Sequence, residues 1–125
     1  MKVVHTNQAP EAIGPYSQAI IFQGLVFTSG QIAINPATGK VEEASIEGQT
    51  EQVMKNLDAI LQEAGSGLEK VLKTTCFLRN MEDFSAFNQV YAKYFASHKP
   101  ARSCVAVREL PKGVLVEVEA VAIVP

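Results

Sequence analysis

The sequence predicts an α+β fold: a mixed six-stranded sheet with two helices packed on one of its faces, in the order β-β-β-α-β-α-β-β. Two observations lead there. Apolar, β-branched segments with a period of two occupy the first third of the chain, its middle and its end. Two windows, 45–64 and 83–95, change to a period of 3.6 and carry a broad apolar stripe each. A third point concerns what such elements leave uncovered. Two amphipathic helices cover one face of a sheet this wide, and the opposite face is too apolar for water, so copies of the chain are expected to bury it against one another. The 125 residues, 47% of them hydrophobic, suffice for one domain with a core and are too few for two ordinary ones, so 1–125 is read as a single domain.

Val3-Val4-His5-Thr6 reads as a short first strand, broken by Asn7-Gln8-Ala9-Pro10. In Ile13-Gly14-Pro15-Tyr16-Ser17-Gln18, Gly-Pro stiffens a loop that holds Tyr16 at the mouth of the next segment; an aromatic plug on the core would need the same loop. Ala19–Phe22 and Leu25–Ser29 form a hairpin about Gln23-Gly24, and both strands are apolar on both faces. Ser29-Gly30-Gln31 then ends or kinks the second strand. Gly30 removes a side chain where a ligand or another backbone can approach, and a plain β-bulge has the same composition. Ile32-Ala33-Ile34 leads to Asn35-Pro36-Ala37-Thr38-Gly39, read as a structural turn.

The first helix runs from about Ser45 to Ala64, with Val53, Leu57, Ile60, Leu61 and Ala64 on one side, Glu51 and Lys55 paired outside, and Gly65 as its stop. Leu68 to Leu78 returns to strand composition, alternating through Val71, Lys73, Thr75 and Phe77. Asp83 or a near neighbour caps the second helix, where Phe84, Phe87, Val90, Tyr91, Tyr94 and Phe95 form an aromatic stripe. Asn88, beside Phe87, is either turned inward or a surface amide. Lys99-Pro100 stops the helix.

The last stretch reads as a β-hairpin of 101–109 and 114–124 about Leu110-Pro111-Lys112-Gly113. On its second strand Glu117 and Glu119 interrupt an apolar face shared with Leu115, Val121 and Ile123. On the first, Arg102, Cys104, Ala106 and Arg108 share a face, and one register would bring a cation toward the carboxylates. Charge inside a strand built for burial is costly unless paired or wetted by a cleft. Arg102 and Glu117 are therefore the first site candidates, with a structural ion pair on a solvated face as the alternative.

The net charge of −2 and the pI near 5.7 provide no basic surface for general nucleic-acid binding, and only three of the eleven cationic residues are arginines. No apolar run approaches the roughly eighteen residues of a membrane span, and the first residues lack a signal-peptide core, which makes a soluble cytoplasmic protein the expectation. Cys76 and Cys104 support neither a zinc quartet nor a disulfide framework; Cys76 reads as core and Cys104 as pocket lining. His5 and His98 stand alone, so no metal constellation exists.

Pro100-Ala101-Arg102-Ser103-Cys104-Val105, Leu110-Pro111-Lys112 and Val116-Glu117-Val118-Glu119-Ala120 resemble the C-terminal signature of the RidA (YjgF) family. The likeness extends through Ile13–Ala19, Thr28–Ile32, Gln49-Thr50 with Asn56-Leu57, and Met81–Phe84 with Asn88 and Tyr91, in order and spacing. Val118 departs from it, standing where a larger aliphatic residue is commoner; that touches packing rather than chemistry. The resemblance implies a chorismate-mutase-like α+β fold, a homotrimer around packed sheets, and clefts between neighbouring subunits. It implies a cofactor-free deaminase that hydrolyses reactive 2-imino acids, tautomers of enamines, to 2-keto acids and ammonia. In that reading Arg102 holds the substrate carboxylate and Glu117 orients the attacking water. Backbone near Gly30 and Cys104 helps hold substrate and water, Tyr16 lies close to the ligand, and Ser29 and Asn88 complete the binding set. Two other readings are a regulatory protein that senses a 2-keto acid in the same cleft and an RNA-cleaving translation inhibitor. The acidic balance and the lack of paired histidines speak against the latter.

Overall fold

The computed structural model describes residues 1–125. In chain order the elements are β1 (Lys2–Val4), β2 (Ala19–Phe22), β3 (Leu25–Thr28), β4 (Ile34–Asn35), β5 (Lys40–Val41), α1 (Ile46–Glu63), β6 (Val71–Leu78), α2 (Phe84–Tyr94), β7 (Ala101–Ala106) and β8 (Val116–Ile123). Six of the strands form one sheet in the spatial order β1-β2-β3-β8-β6-β7, antiparallel throughout except for the parallel β6–β7 pair. The expected α+β order is present, and both helices lie over one face of the sheet. The segment read as a plain turn at 35–39 also closes a small ribbon of β4 and β5.

The terminal hairpin does not form. β6 stands between β7 and β8, with Cys76 opposite Cys104 on one side and Val118 on the other. The cause is the preceding helix: β6-α2-β7 is a crossover unit, which returns the chain to the same end of the sheet and lays β7 down parallel to β6. β8, whose Val116, Val118, Ala120 and Ala122 are buried, takes the centre between β3 and β6. The arginine-bearing strand is left at the edge and ends at Ala106, so Arg108 lies in the following loop.

α1 is placed as its pattern demands. Ser45 Oγ accepts from the Gly48 N–H at 3.0 Å, and Gly65, at φ 81°, turns the chain away after the last turn. Val53, Leu57, Ile60 and Leu61 are buried completely against the sheet and α2. Glu51 does not pair with Lys55; it reaches across to α2, accepting from the Tyr94 hydroxyl and lying 3.7 Å from Lys93. Asp83 makes no side-chain capping bond, because a 3₁₀ turn at Met81–Asp83 runs directly into α2. The expected alternation along β6 breaks at its start. A register shift between Val71 and Lys73 puts Val71 under the helices, while Lys73, Thr75 and Phe77 face the other way.

That other face is apolar and open. Val3, Phe22, Phe27, Val105 and Ile123 are exposed on it, with Ile20, Leu25, Phe77 and Val121 half-buried. Glu117 and Glu119 are set into this surface.

Candidate active site

Glu117 anchors one pocket, of about 410 Å³, on the open-face side. Its wall is a pair of loops held by buried amides. The Gln18 side chain accepts from the Thr6 N–H at 2.7 Å and donates to the carbonyls of Thr6 at 3.0 Å and Pro10 at 2.8 Å. The Gln18 carbonyl in turn accepts from the Ser29 N–H at 2.9 Å, and Ser29 Oγ donates to the Ser17 carbonyl at 2.6 Å. Gln31 and Val118 exchange two backbone hydrogen bonds, of 2.8 and 3.1 Å. Gly30 is thus stapled on both sides, and its peptide lies against the Glu117 carboxylate: a Cβ built on Gly30 would stand 2.1 Å from Glu117 Oε2. Burial raises the Glu117 pKa above the ordinary carboxylate range, and the neighbouring Glu119 adds to the shift. Tyr16, half-exposed, completes the mouth.

Arg102 anchors a second pocket, of about 450 Å³, lined also by Asn88, Tyr91, Phe95, Lys99 and Pro100. Its Nη1 donates to Asn88 Oδ1 at 2.7 Å, so Asn88 is turned toward the arginine rather than to open solvent. The guanidinium carbon lies 4.8 Å from the Tyr91 ring centroid and 5.5 Å from that of Phe84. Tyr91 is itself fixed by a buried 2.7 Å hydrogen bond with Thr74 Oγ1, the strand neighbour of Arg102. The planar cation is therefore held by one polar bond and two aromatic faces, with the rest of its fork available for a carboxylate. Cys104, half-buried on the same face, has its thiol pushed up by burial, against the pull of Arg102. Buried Cys76 is pushed up to about 12. Both are poor nucleophiles at neutral pH.

The sequence-predicted residues thus fall into two groups. Tyr16, Ser29, Gly30 and Glu117 meet in one pocket; Asn88 and Arg102 meet in the other, while Cys104, expected to line a pocket, lies two residues along β7 and is not part of that lining. The approach of Arg102 to Glu117 that one hairpin register would allow is absent. Arg102 aligns with Thr74 and Ala120 on the helix side, whereas Glu117 aligns with Phe77 on the open side. Within this chain the sheet separates them. Sequence reasoning missed the supports, Gln18, Thr74 and the Tyr91 stack. The available signal was polar residues inside apolar runs, at Gln18-Ala19-Ile20 and Lys73-Thr74-Thr75-Cys76. No group of three or more His, Cys, Asp or Glu side chains is arranged to hold a metal ion, and no helix is long and apolar enough to cross a membrane.

Comparison with known proteins bears directly on this arrangement. A family model described as endoribonuclease L-PSP matches residues 6–124. The chain belongs to the RidA (YjgF) family. Among its RidA-family relatives is a Lactococcus lactis protein named for a regulator, AldR, 57% identical over 98% of this chain and 97% of its own. The chloroplastic Reactive Intermediate Deaminase A of Arabidopsis thaliana is 47% identical over 97% of this chain and 65% of its own. The crystal structure of E. coli TdcF with bound serine superposes with a TM-score of 0.94 at 40% identity, covering 98% of each chain. The chorismate-mutase-like α+β fold implied by the RidA resemblance is the fold observed.

Proposed function

We propose that this RidA-family chain is a cofactor-free 2-imino acid deaminase, a cytoplasmic hydrolase of C=N bonds that converts the imine tautomers of reactive enamines, 2-iminobutanoate and 2-iminopropanoate among them, to 2-keto acids and ammonia. The observation that carries the reading is the braced Arg102 fork: one Nη is bonded to Asn88, the plane is backed by Tyr91 and Phe84, and the remaining N–H groups suit a small carboxylate. In the proposed reaction Arg102 holds the substrate carboxylate and Asn88 and Cys104 flank it. Glu117, its pKa raised by burial, orients and deprotonates the water that adds to the imine carbon. The resulting carbinolamine loses ammonia as its nitrogen is protonated and the C–N bond breaks, leaving the keto acid. Ser29 and the Gly30 backbone line the water side, and Tyr16 closes the mouth. An imine already hydrolyses in water, so positioning supplies the acceleration.

This chemistry needs both half-sites at once, and the sheet keeps them apart within one subunit. The working unit is therefore a homotrimer in which open faces pack together and each cleft takes Arg102 from one copy and Glu117 from the next. The apolar surface of Val3, Phe22, Phe27, Val105 and Ile123 supports that packing. The name of the AldR relative supports a second reading, a regulatory protein that binds a 2-keto acid in the same cleft without turnover.

The test is a coupled assay in which an amino-acid oxidase generates the imine and keto-acid formation is followed. Wild type should accelerate hydrolysis, and Arg102→Ala, still folded and assembled, should not. Arg102→Ala and Glu117→Gln subunits refolded together at equal ratio should regain activity in about one quarter of the clefts, since only one of four neighbour combinations joins two intact halves. Ligand binding by wild type without turnover would favour the sensor, and no recovery in the mixture would refute the shared cleft.

A further inference from the structure

We propose a second, separate site, formed by Arg79, Arg108 and Glu109, that binds a protonated oxyanion of the phosphate class. Arg79 directly follows β6, and Arg108 lies two residues beyond β7. Because these strands are parallel, with the Val107 N–H bonded to the Leu78 carbonyl at 2.9 Å, both chains leave the sheet at the same end. The loops that follow β6 and β7 therefore start side by side. Here the two arginine side chains line one pocket of about 400 Å³ with Glu109, Leu110 and Gly113.

Neither guanidinium is neutralised within the fold. The ion pairs present are Lys70–Glu69 and Lys93–Glu51, and neither involves this pocket. Arg79 Nη1 donates to the Gly113 carbonyl at 3.1 Å, which orients its plane and leaves its other N–H groups free. Two forks facing a shared cavity repel one another until an anion with several oxygens lies between them.

Glu109 narrows the choice of anion. A carboxylate in the lining repels an oxyanion that has no proton, but accepts a hydrogen bond from one that does. Inorganic phosphate keeps a P–OH in both of its forms near neutral pH; sulfate does not, and a phosphate monoester, with a second pKa of about 6, has largely lost its own. The loop concerned also carries Pro111, which lines the Glu117 pocket, so the bound anion lies beside the wall of the catalytic half-site.

The experiment is a titration of the intact ¹⁵N-labelled protein with inorganic phosphate, and separately with sulfate, at constant ionic strength, following backbone amide shifts. Saturable shifts at Arg79 and 107–113 are expected, with phosphate at least about tenfold tighter than sulfate. Arg108→Gln, whose side chain makes no hydrogen bond in the fold, should weaken phosphate at least about tenfold, and Glu109→Gln should erase the preference over sulfate. Shifts that do not saturate, equal binding of sulfate to wild type, binding unchanged in Arg108→Gln, or shifts confined to residues around Arg102 would each overturn the proposal.

Discussion

Replacing Gly30 with alanine isolates the placement of Glu117 from everything else in the site. Gly30 is not in the left-handed region, so alanine meets no backbone penalty there. What it meets is the carboxylate: the new methyl would lie 2.1 Å from Glu117 Oε2 and 2.8 Å from its Cδ, against an ordinary contact of 3.4 Å or more. Oε2 must therefore retreat by more than about 1 Å, through a side-chain rotation that costs about 0.5–1.5 kcal/mol. The fold absorbs that amount. A displacement of about 1 Å in the group that positions water is expected to lower kcat about 100-fold, because near-attack geometry is lost. Arg102 lies on the other half-site and should keep its affinity for a 2-keto acid. The oxidase-coupled assay reads kcat, and calorimetric titration with 2-oxobutanoate reads the binding. A variant with kcat within a few-fold of wild type, or one whose keto-acid affinity falls with kcat, would refute the division of labour between the two halves.

Asn88→Ala removes a 2.7 Å charge-assisted bond worth about 1.5–3 kcal/mol while leaving both aromatic faces under Arg102, so KM and the keto-acid Kd should rise about 10- to 100-fold with a smaller change in kcat. Glu117→Gln should raise Tm at pH 7: the folded carboxyl titrates above its unfolded value of about 4.3, so the folded chain holds the more protons between the two values. Stability accordingly falls as pH climbs through that window, and the gain from the amide should vanish below about pH 4; an equal gain at both pH values in scanning calorimetry would contradict this. Phe87→Ala, at a fully buried ring packed on Tyr91, should cost about 3–5 kcal/mol in urea unfolding, and a loss below about 1 kcal/mol would mean that the core between α2 and the sheet is not continuous.

Local pattern in the chain was enough to specify most elements and the chemistry they carry. Periodicity located α1, the Gln23-Gly24 hairpin and the aromatic stripe of α2, because these depend on contacts only a few residues apart. Charge inside an apolar strand marked Arg102 and Glu117, since such groups are tolerated only where a cleft or partner receives them. Strand neighbours are another matter. Nothing in residues 101–124 reveals that β6 will insert between the last two strands; that order arises from the crossover through α2 and from β8 needing cover on both edges. A hairpin leaves open a register that brings Arg102 toward Glu117, whereas the sheet sets them on opposite faces. The partners that hold them are likewise distant in sequence: Thr74 is 17 residues from Tyr91, and Gly30 is far from the glutamate it receives. Side-chain type survives in the linear chain, but which faces meet is settled only when the sheet is assembled, because pairing order is set by long-range burial and chain crossing rather than by local preference.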